Sequence, residues 1–214
     1  MRHVPHLYIE GDWNAPTVNT TEEQNRHLGK VLRLNKGKPV SYTDGRGRLG
    51  TGEWTGTGIV RGEESTWAAP QPLTLAVAVP SSRDRARFVV EKLAELGVPT
   101  LVWLDTRWGS GRVPPASKLK AWAVSALEQS RGAFLMETSD TVAQWSDLLE
   151  PIAVCSSAGA RPEPSNKPRT VVVGPEGGLS SEEIPAGASQ VKLGETILRI
   201  ETAAIAAAII FRDQ

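Results

Sequence analysis

Residues 170–183 read TVVVGPEGGLSSEE, an apolar strand that runs directly into a loop with three glycines. Loops at the carboxyl ends of strands are where α/β sheets bind ligands. Glycines let a ligand approach the backbone closely, while Pro175 restrains the shape of the loop. Ser180 and Glu183 have the spacing of a reciprocal helix cap, so we expect a helix to start here and Pro185 to keep it short. The loop is either a tight connection or a ligand site.

A second turn of the same kind lies nearer the C-terminus. Residues 193–203 read LGETILRIETA, again a strand end, a glycine, a loop and a helix start. Glu201 falls in the first turn of this helix, where a carboxylate interacts favourably with the helix dipole, so a structural role competes with a functional one. Arg199 precedes a strongly apolar helix, which favours either an ion pair or a ligand contact for its guanidinium.

The pattern around the two turns predicts two domains. Short alternating runs up to residue 68, with a hairpin turn at Asp44-Gly45, predict a small β-barrel. From Leu73 onwards strands alternate with helices, which predicts an α/β domain with a mostly parallel sheet covered by helices, after an extended linker over 63–72. The predicted strands are 73–79, 100–104, 152–155, 170–173 and 190–193, and the predicted helices are 84–96, 116–131 and 199–211. We therefore expect one domain over 1–68 and another over 73–214.

Composition and charge exclude several classes of protein. The 214 residues include 24 Lys+Arg and 24 Asp+Glu, so a net charge of zero gives no overall attraction to nucleic acid. No run approaches the roughly 20 apolar residues of a membrane helix, and no secretory signal is found, so we expect a cytoplasmic protein with no membrane partner. His3, His6, His27 and Cys155 form no ligand pattern, so no metal is expected. No Lys-Ser or Lys-Thr follows the glycines of the loop at 174–178 as a Walker motif requires, no G-x-G-x-x-G follows the first strand as a dinucleotide site requires, and no Gly-x-Ser-x-Gly elbow occurs.

Positive charge is concentrated in one segment of the first domain. Between Arg26 and Arg48 there are seven basic residues and one acidic residue, which gives 7 − 1 = +6. Such a run forms either a solvated surface or a contact with phosphates, and both interpretations stay open. Three arginines at a predicted helix start, Arg83, Arg85 and Arg87, have the same two interpretations.

The two turns, in this order, resemble those of the knotted SPOUT methyltransferases, and in particular the bacterial small-subunit ribosomal RNA uridine-N3 methyltransferase family, RsmE. Further segments match in family order: HLGKVLRL at 27–34, Asp44-Gly45, EKLAELGV at 91–98 and EQSR at 128–131. The sequence departs from the family pattern at His6, where an arginine is common, and at Gly132–Leu135, where Asn-Arg-Val-Pro is common.

The resemblance implies a PUA-like RNA-binding barrel followed by a SPOUT domain, whose C-terminal loops tie a trefoil knot around S-adenosylmethionine. It also implies a homodimer with the active site at the subunit contact. Such a contact fits the last helix, which is apolar on every side from Ala203 to Phe211 and is therefore expected to be buried on all faces, deep in the fold or between subunits. The residues assigned to the cofactor are Val173, Gly174, Pro175, Glu176, Gly177, Gly178, Leu193, Gly194, Ile197, Leu198, Thr202 and Ala203.

The implied reaction is methylation of N3 of a uridine in small-subunit ribosomal RNA, either as free RNA or in an assembled 30S particle. Uracil N3 is a poor nucleophile until its proton leaves, so the site needs a general base or a cation that stabilises charge on the flanking oxygens. Arg199 suits the second role, while Glu201 either accepts the proton or orients Arg199. The residues expected to contact RNA are Arg26, Lys30, Arg33, Arg46, Arg83, Arg85, Arg87, Glu128, Gln129 and Arg131.

Three other functions are compatible with the sequence. The first is a SPOUT enzyme that acts on another RNA position, and the second is a non-catalytic RNA-binding or ribosome-assembly protein. A phosphate-handling nucleotide enzyme is the third. Binding of S-adenosylmethionine separates the enzyme from the non-catalytic protein, because the latter has no need for the cofactor.

Overall fold

Two separate sheets account for the architecture of the chain. The computed structural model describes residues 4–11, 13–163 and 167–212. One unit consists of Met1–Ala69 and Leu127–Leu135, and the other consists of Pro70–Ala126 and Met136–Gln214. Residues 127–135, which the sequence-based division leaves in the second domain, therefore belong to the first unit.

The first unit contains a five-stranded mixed sheet in the order β1-β3-β4-β5-β2. Its strands are β1 (His6–Tyr8), β2 (Thr17–Asn19), β3 (Lys38–Thr43), β4 (Arg48–Trp54) and β5 (Gly58–Thr66), and a helix α1 (Glu22–Arg26) continues into a π-helical turn (His27–Val31). Leu28, Val40, Tyr42 and Ile59 are fully buried and form the centre of its core. Since β5 extends to Thr66, the expected linker over 63–72 is wrong in its first four residues.

The predicted hairpin at Asp44-Gly45 is confirmed, although its loop is longer than two residues. Asp44 Oδ1 accepts hydrogen bonds from the backbone N–H groups of Arg46, at 2.7 Å, and Arg48, at 3.1 Å. Gly45 and Gly47 have φ values of +70° and +103°, which glycine adopts without steric cost. The carboxylate therefore takes the place of backbone partners across the turn.

The second unit contains a six-stranded sheet in the order β11-β9-β10-β6-β7-β8, and every pair in it is parallel. Its strands are β6 (Thr74–Ala78), β7 (Thr100–Leu104), β8 (Glu137–Ala143), β9 (Ile152–Ala160), β10 (Thr170–Val173) and β11 (Ser189–Val191). This unit also contains α2 (Arg83–Glu95), α4 (Ile200–Arg212) and most of α3 (Ala116–Ser130), whose last residues, from Leu127 onwards, belong to the first unit. The predicted parallel sheet with helices is confirmed, and β8 is a strand that the sequence analysis missed.

Helix α4 is less deeply buried than its composition predicts. Ala204, Ala207 and Ala208 are fully buried in the unit, and α4 packs against α2. On another side Ile209 is 57% exposed and Ile205 is partly exposed. Burial of all faces deep in the fold is therefore wrong, and the other alternative, a contact between subunits, stays a prediction.

The strand order brings the two glycine-containing turns to one edge of the sheet. Strand β9 pairs with β10 on one side and with β11 on the other. Because all three strands are parallel, their carboxyl ends point to the same edge. The loops that leave β10 and β11 therefore flank the end of β9, which is where an open α/β sheet accommodates a ligand.

Candidate active site

The turns after β10 and β11 enclose a pocket of about 300 Å³ together with the end of β9. This volume lies at the lower end of the range for small-molecule sites, roughly 300–1,000 Å³. Every residue that the sequence analysis assigned to the cofactor lines the pocket except Thr202, whose side chain is exposed on α4. The structure thus brings together two segments that the resemblance had placed in one site.

The turn at 174–178 is tightly packed. A Cβ atom on Gly174 would lie only 2.8 Å from Leu179 Cγ, and one on Gly177 would lie 3.3 Å from Trp108 Cβ. Gly178 has a φ of +79°, and its N–H donates a hydrogen bond to the Pro175 carbonyl at 2.9 Å. Glycine is therefore required here by sterics and by backbone conformation.

The expected helix start at Ser180 is wrong, since the segment after the turn forms only bends and turns. The cap contact itself exists in part: Glu183 Oε2 accepts hydrogen bonds from Ser180 N–H at 3.0 Å and from its hydroxyl at 2.9 Å. Glu183 Oε1 accepts a further bond from Arg107 N–H at 2.6 Å. Pro185 explains the missing helix, because it lacks an N–H and disfavours helical backbone in the residue before it.

These hydrogen bonds also change the acidity of Glu183. Partial burial acts to raise the pKa of this carboxyl, but the bonds from Arg107 and Ser180 outweigh it and lower the pKa below the ordinary value of 4.5. The carboxylate is therefore an ionised anchor that ties the segment after β10 to the loop after β7.

The turn at 193–198 is open by comparison. A Cβ atom on Gly194 would meet no atom within 4 Å, and Ile197 is 93% exposed. The side chain of Glu195 lies 2.6 Å from Lys192 Nζ and 3.4 Å from Arg161 Nη2, so it points along the surface. An apolar side chain as exposed as Ile197 beside a pocket is available to a ligand or a partner.

Strand β9 contributes a pocket wall that the sequence analysis missed. Cys155, Ser156 and Ser157 line the pocket, because β9 continues to Ala160 instead of ending at Cys155 as predicted. Burial raises the pKa of the Cys155 thiol to about 12, so this group stays neutral at physiological pH. The sequence feature that could have identified this wall is the pair of serines, Ser156 and Ser157, which follows the apolar run of the predicted strand.

The two predicted catalytic residues lie at the start of α4. Arg199 is exposed and does not line the pocket, and among the described residues no carboxylate forms an ion pair with it. The side chain of Glu201 is only 15% exposed, and its Oε2 is buried without a hydrogen-bond partner in the described part of the chain. The described contacts do not pair these two side chains, so their roles stay predictions.

The three arginines of α2 that were expected to contact RNA all have intramolecular neighbours. Arg85 forms an ion pair with Glu176 at 2.8 Å, and Arg87 forms one with Glu91 at 2.7 Å. The Arg83 guanidinium lies 5.9 Å from the centre of the Trp122 ring. Contact with RNA by these residues stays a prediction.

In the first unit, the basic residues that were predicted to bind RNA are exposed. These are Arg26, Lys30, Arg33 and Arg46, and Arg33 has a φ of +50°, which is rare for a residue with a side chain. Of the three residues predicted near the end of α3, Gln129 is exposed and Arg131 donates to the Val4 carbonyl at 2.8 Å. Glu128 Oε1 accepts a hydrogen bond from Tyr8 N–H at 2.9 Å, and burial raises the pKa of this carboxyl.

The two positions that depart from the family pattern meet in the structure. His6 is buried, with Nδ1 2.9 Å from Ser41 Oγ and Nε2 3.4 Å from the Gly132 carbonyl. Burial lowers the pKa of His6 below its ordinary value of 6.5, so the ring is neutral at physiological pH. His6 therefore acts as a core residue of the first unit.

Residues 4–11, 13–163 and 167–212 contain neither a membrane-spanning helix nor a cluster of metal ligands. In these ranges, no helix has the length and apolar character to cross a membrane. Within the same ranges, no group of three or more His, Cys, Asp or Glu side chains is arranged to hold a metal ion.

Comparison with known proteins identifies the family of this chain. The family described as RNA methyltransferase domain matches residues 68–212. A ribosomal RNA small subunit methyltransferase E from Mycobacterium bovis is 30% identical over 218 residues, which cover 86% of this chain and 82% of the relative. The chain belongs to the ribosomal RNA small subunit methyltransferase E family.

Two solved structures share the fold of this chain. The RsmE protein from Neisseria gonorrhoeae, solved with S-adenosylmethionine, has a TM-score of 0.83 at 25% identity and covers 99% of this chain and 98% of its own. A methyltransferase from Legionella pneumophila, also solved with the cofactor, has a TM-score of 0.83 at 22% identity, with the same coverage. As a member of this family, the protein is a methyltransferase of ribosomal RNA.

Proposed function

We propose that the protein methylates N3 of a uridine in small-subunit ribosomal RNA, with S-adenosylmethionine bound between the turns at 174–178 and 193–198. The observation that carries this proposal is the pocket itself. Two segments about 20 residues apart, each a glycine-containing turn after a strand, line one cavity. Membership of the RsmE family supports the reaction.

The pocket residues fit the proposed cofactor. Leu179, Leu198 and the exposed Ile197 supply apolar surface for a flat ring system, while Ser156 and Thr196 supply hydroxyl groups. The open backbone at Gly194 allows close approach of a ligand. When bound, S-adenosylmethionine supplies an electrophilic methyl group on its sulfonium. The protein therefore has to bind this group and to orient the nucleophilic nitrogen.

Arg199 is the proposed catalytic residue. A guanidinium stays protonated and offers several donors in a fixed fork, so it can stabilise negative charge on the uracil oxygens as N3 loses its proton. Its exposure and its lack of an ion pair among the described residues leave those donors available to a substrate. Glu201, in the first turn of α4, either accepts the proton or orients Arg199.

We assign RNA contact to the exposed basic residues of the first unit, Arg26, Lys30, Arg33 and Arg46, because phosphate binding is electrostatic and independent of sequence.

We further propose that two chains associate through the exposed side of α4, where Ile209 offers apolar surface. Light scattering tests this association, since a molar mass in solution equal to that of one chain contradicts it. We place the activity in the cytoplasm.

One experiment tests the proposed reaction. The purified chain is incubated with labelled S-adenosylmethionine and with ribosomal subunits from a strain that lacks the gene, and the methyl group is located by mass spectrometry of RNA fragments. We expect one labelled uridine, modified at N3, in the small subunit. Label at another nucleotide, or none in either free RNA or assembled subunits, contradicts the proposal.

A further inference from the structure

Arg85 joins two parts of the candidate site that are far apart in the sequence. Its Nη1 lies 2.8 Å from Glu176 Oε1 in the turn after β10, and its Nε lies 3.9 Å from Glu201 Oε1 in the first turn of α4. Glu176 lines the pocket, and so do Ile200 and Ala203, which lie before and after Glu201 on α4. The guanidinium therefore bridges the loop and the helix start that border the pocket.

The backbone of Arg85 is itself fixed. Arg85 lies in the first turn of α2, where its N–H donates a hydrogen bond to the Ser82 hydroxyl at 3.3 Å. Helix α2 packs against α4, which carries Glu201. A cation on a capped and packed helix therefore reaches the loop at 174–178 from a rigid support.

The neighbouring arginine of the same helix differs in these respects. The side chain of Arg87 is 56% exposed and pairs with Glu91 one turn later on α2. The side chain of Arg85 is 34% exposed and pairs with Glu176 and Glu201. These partners lie far along the sequence, 91 positions (176 − 85) and 116 positions (201 − 85) after Arg85. Arg87 has the surroundings of a surface residue, whereas Arg85 has those of a residue that holds a site together.

We propose that Arg85 is a positioning residue for methyl transfer, which holds Glu176 and Glu201 in place and so fixes the shape of the loop at 174–178. This inference rests on the proposed function, because it takes the pocket to be the cofactor site. An arginine suits the role, since its planar guanidinium donates a hydrogen bond to Glu176 and keeps its positive charge near Glu201 on another side of the fork. The sequence analysis had assigned Arg85 to RNA phosphates instead.

The expected effect lies in binding more than in stability. Partly exposed ion pairs contribute little to the free energy of unfolding. A loop that is already ordered, however, loses less conformational freedom when a ligand binds, so loss of the bridge should weaken cofactor binding. The same loss should leave RNA affinity unaffected, because no phosphate contact is removed.

Calorimetry of S-adenosylmethionine with the full chain, in the absence of RNA, tests the proposal. We expect R85Q to raise the Kd by about tenfold through loss of preorganisation, and the matched control R87Q to change it by less than about twofold. R85K should fall between them, because an ammonium keeps the charge but lacks the fork. The dependence of RNA binding on salt should be the same for R85Q and the unmodified chain.

Several results would overturn the proposal. Equal Kd values for R85Q and R87Q would show that the bridge does not shape the pocket. An unchanged cofactor Kd with a weaker salt dependence of RNA binding would assign Arg85 to RNA. If the unmodified chain does not bind S-adenosylmethionine, the proposed function fails, and this inference fails with it. The two failures are distinguishable, because the first is seen in the unmodified chain and the second only in the variants.

A second variant keeps the test valid if R85Q does not fold. Glu176→Gln breaks the same pair from a loop residue whose side chain is 48% exposed, so folding should be preserved. The effects of R85Q and E176Q on the cofactor Kd should not add, since the double variant loses the same bridge as each single one. Additive effects would show that the two residues act independently and would overturn the proposal.

Discussion

The two turns that form the pocket differ in how the rest of the protein holds them. The turn at 174–178 is held by the ion pair from Arg85, and Trp108 fills the space beside Gly177 that a side chain would need. The turn at 193–198 has no atom near the Cβ position of Gly194 and exposes a large apolar side chain to solvent. One pocket can thus combine a preformed wall with an open one. We expect the first turn to set the shape of the site and the second to meet the substrate.

The largest effect is expected beside the open turn. Arg199→Ala should lower the rate of methyl transfer by roughly 100- to 1,000-fold, the usual result of removing one donor to a developing negative charge. Binding of S-adenosylmethionine should be unchanged, because Arg199 does not line the pocket. Single-turnover assays with ribosomal subunits and calorimetry with the cofactor measure the two quantities.

Arg161 offers a matched control for this prediction. Its side chain is 85% exposed and lies beside the same turn, where it pairs with Glu195. Arg161→Ala should leave methyl transfer unchanged. An Arg199→Ala protein with full activity would remove Arg199 from the mechanism and would make the contrast between the turns purely structural.

Substitution in the tightly held turn should come next in size. In Gly174→Ala the new Cβ would lie 2.8 Å from Leu179 Cγ, so Leu179 has to move. Overpacking of this kind costs about 1–3 kcal/mol of unfolding free energy, measurable by urea titration. The clash predicts that Gly174→Ala combined with Leu179→Ala loses less stability than the sum of the single changes. Strict additivity would show that the turn is not held by this contact.

The corresponding change in the open turn should leave the fold intact. Gly194→Ala places a methyl group in free space, so the free energy of unfolding should change by less than about 0.5 kcal/mol. Cofactor binding should still weaken, by about threefold, because the methyl group occupies space that a ligand uses next to the backbone. A Gly194→Ala protein with lower stability and normal binding would reverse the comparison.

The smallest effect concerns pH and the anchor of the first turn. Because the pKa of Glu183 is lowered in the folded state, its carboxylate stabilises the protein above the ordinary value of 4.5, and this contribution is lost as pH falls through the lowered pKa. Glu183→Gln should therefore lower the Tm by roughly 2 °C at pH 6. The difference should shrink as the pH is lowered below 4.5, and a difference that is constant with pH would exclude the carboxylate as the anchor.

Buried strands and glycine-containing turns were predictable from the sequence. Strands β7 and β10 begin and end where the apolar runs do, at Thr100–Leu104 and Thr170–Val173, because buried parallel strands are almost continuously apolar. The turn at 174–178 was found because its local conformation requires glycine, whereas the turn at 193–198 was found from its glycine between a strand end and a helix start. The exposed strand β8 was missed, since Glu137–Ala143 has no apolar periodicity.

Side-chain partners were much less predictable. No local pattern shows that Arg85 meets Glu176, which lies 91 residues later, or that His6 meets Gly132. Likewise, Glu183 makes the expected contact with Ser180 but also binds the backbone N–H of Arg107, in a loop that is distant in sequence. Local sequence therefore locates a site more reliably than it assigns the role of each charged residue.

The central claim is that the two turns bind one molecule of S-adenosylmethionine between them. Hydrogen exchange measured by mass spectrometry, with and without the cofactor, tests it directly. We predict that the amides of 174–178 and 193–198 become protected together, with the larger gain at 193–198, which is the more open turn of the free protein. Protection of only one turn, or of neither at saturating cofactor, would contradict the claim.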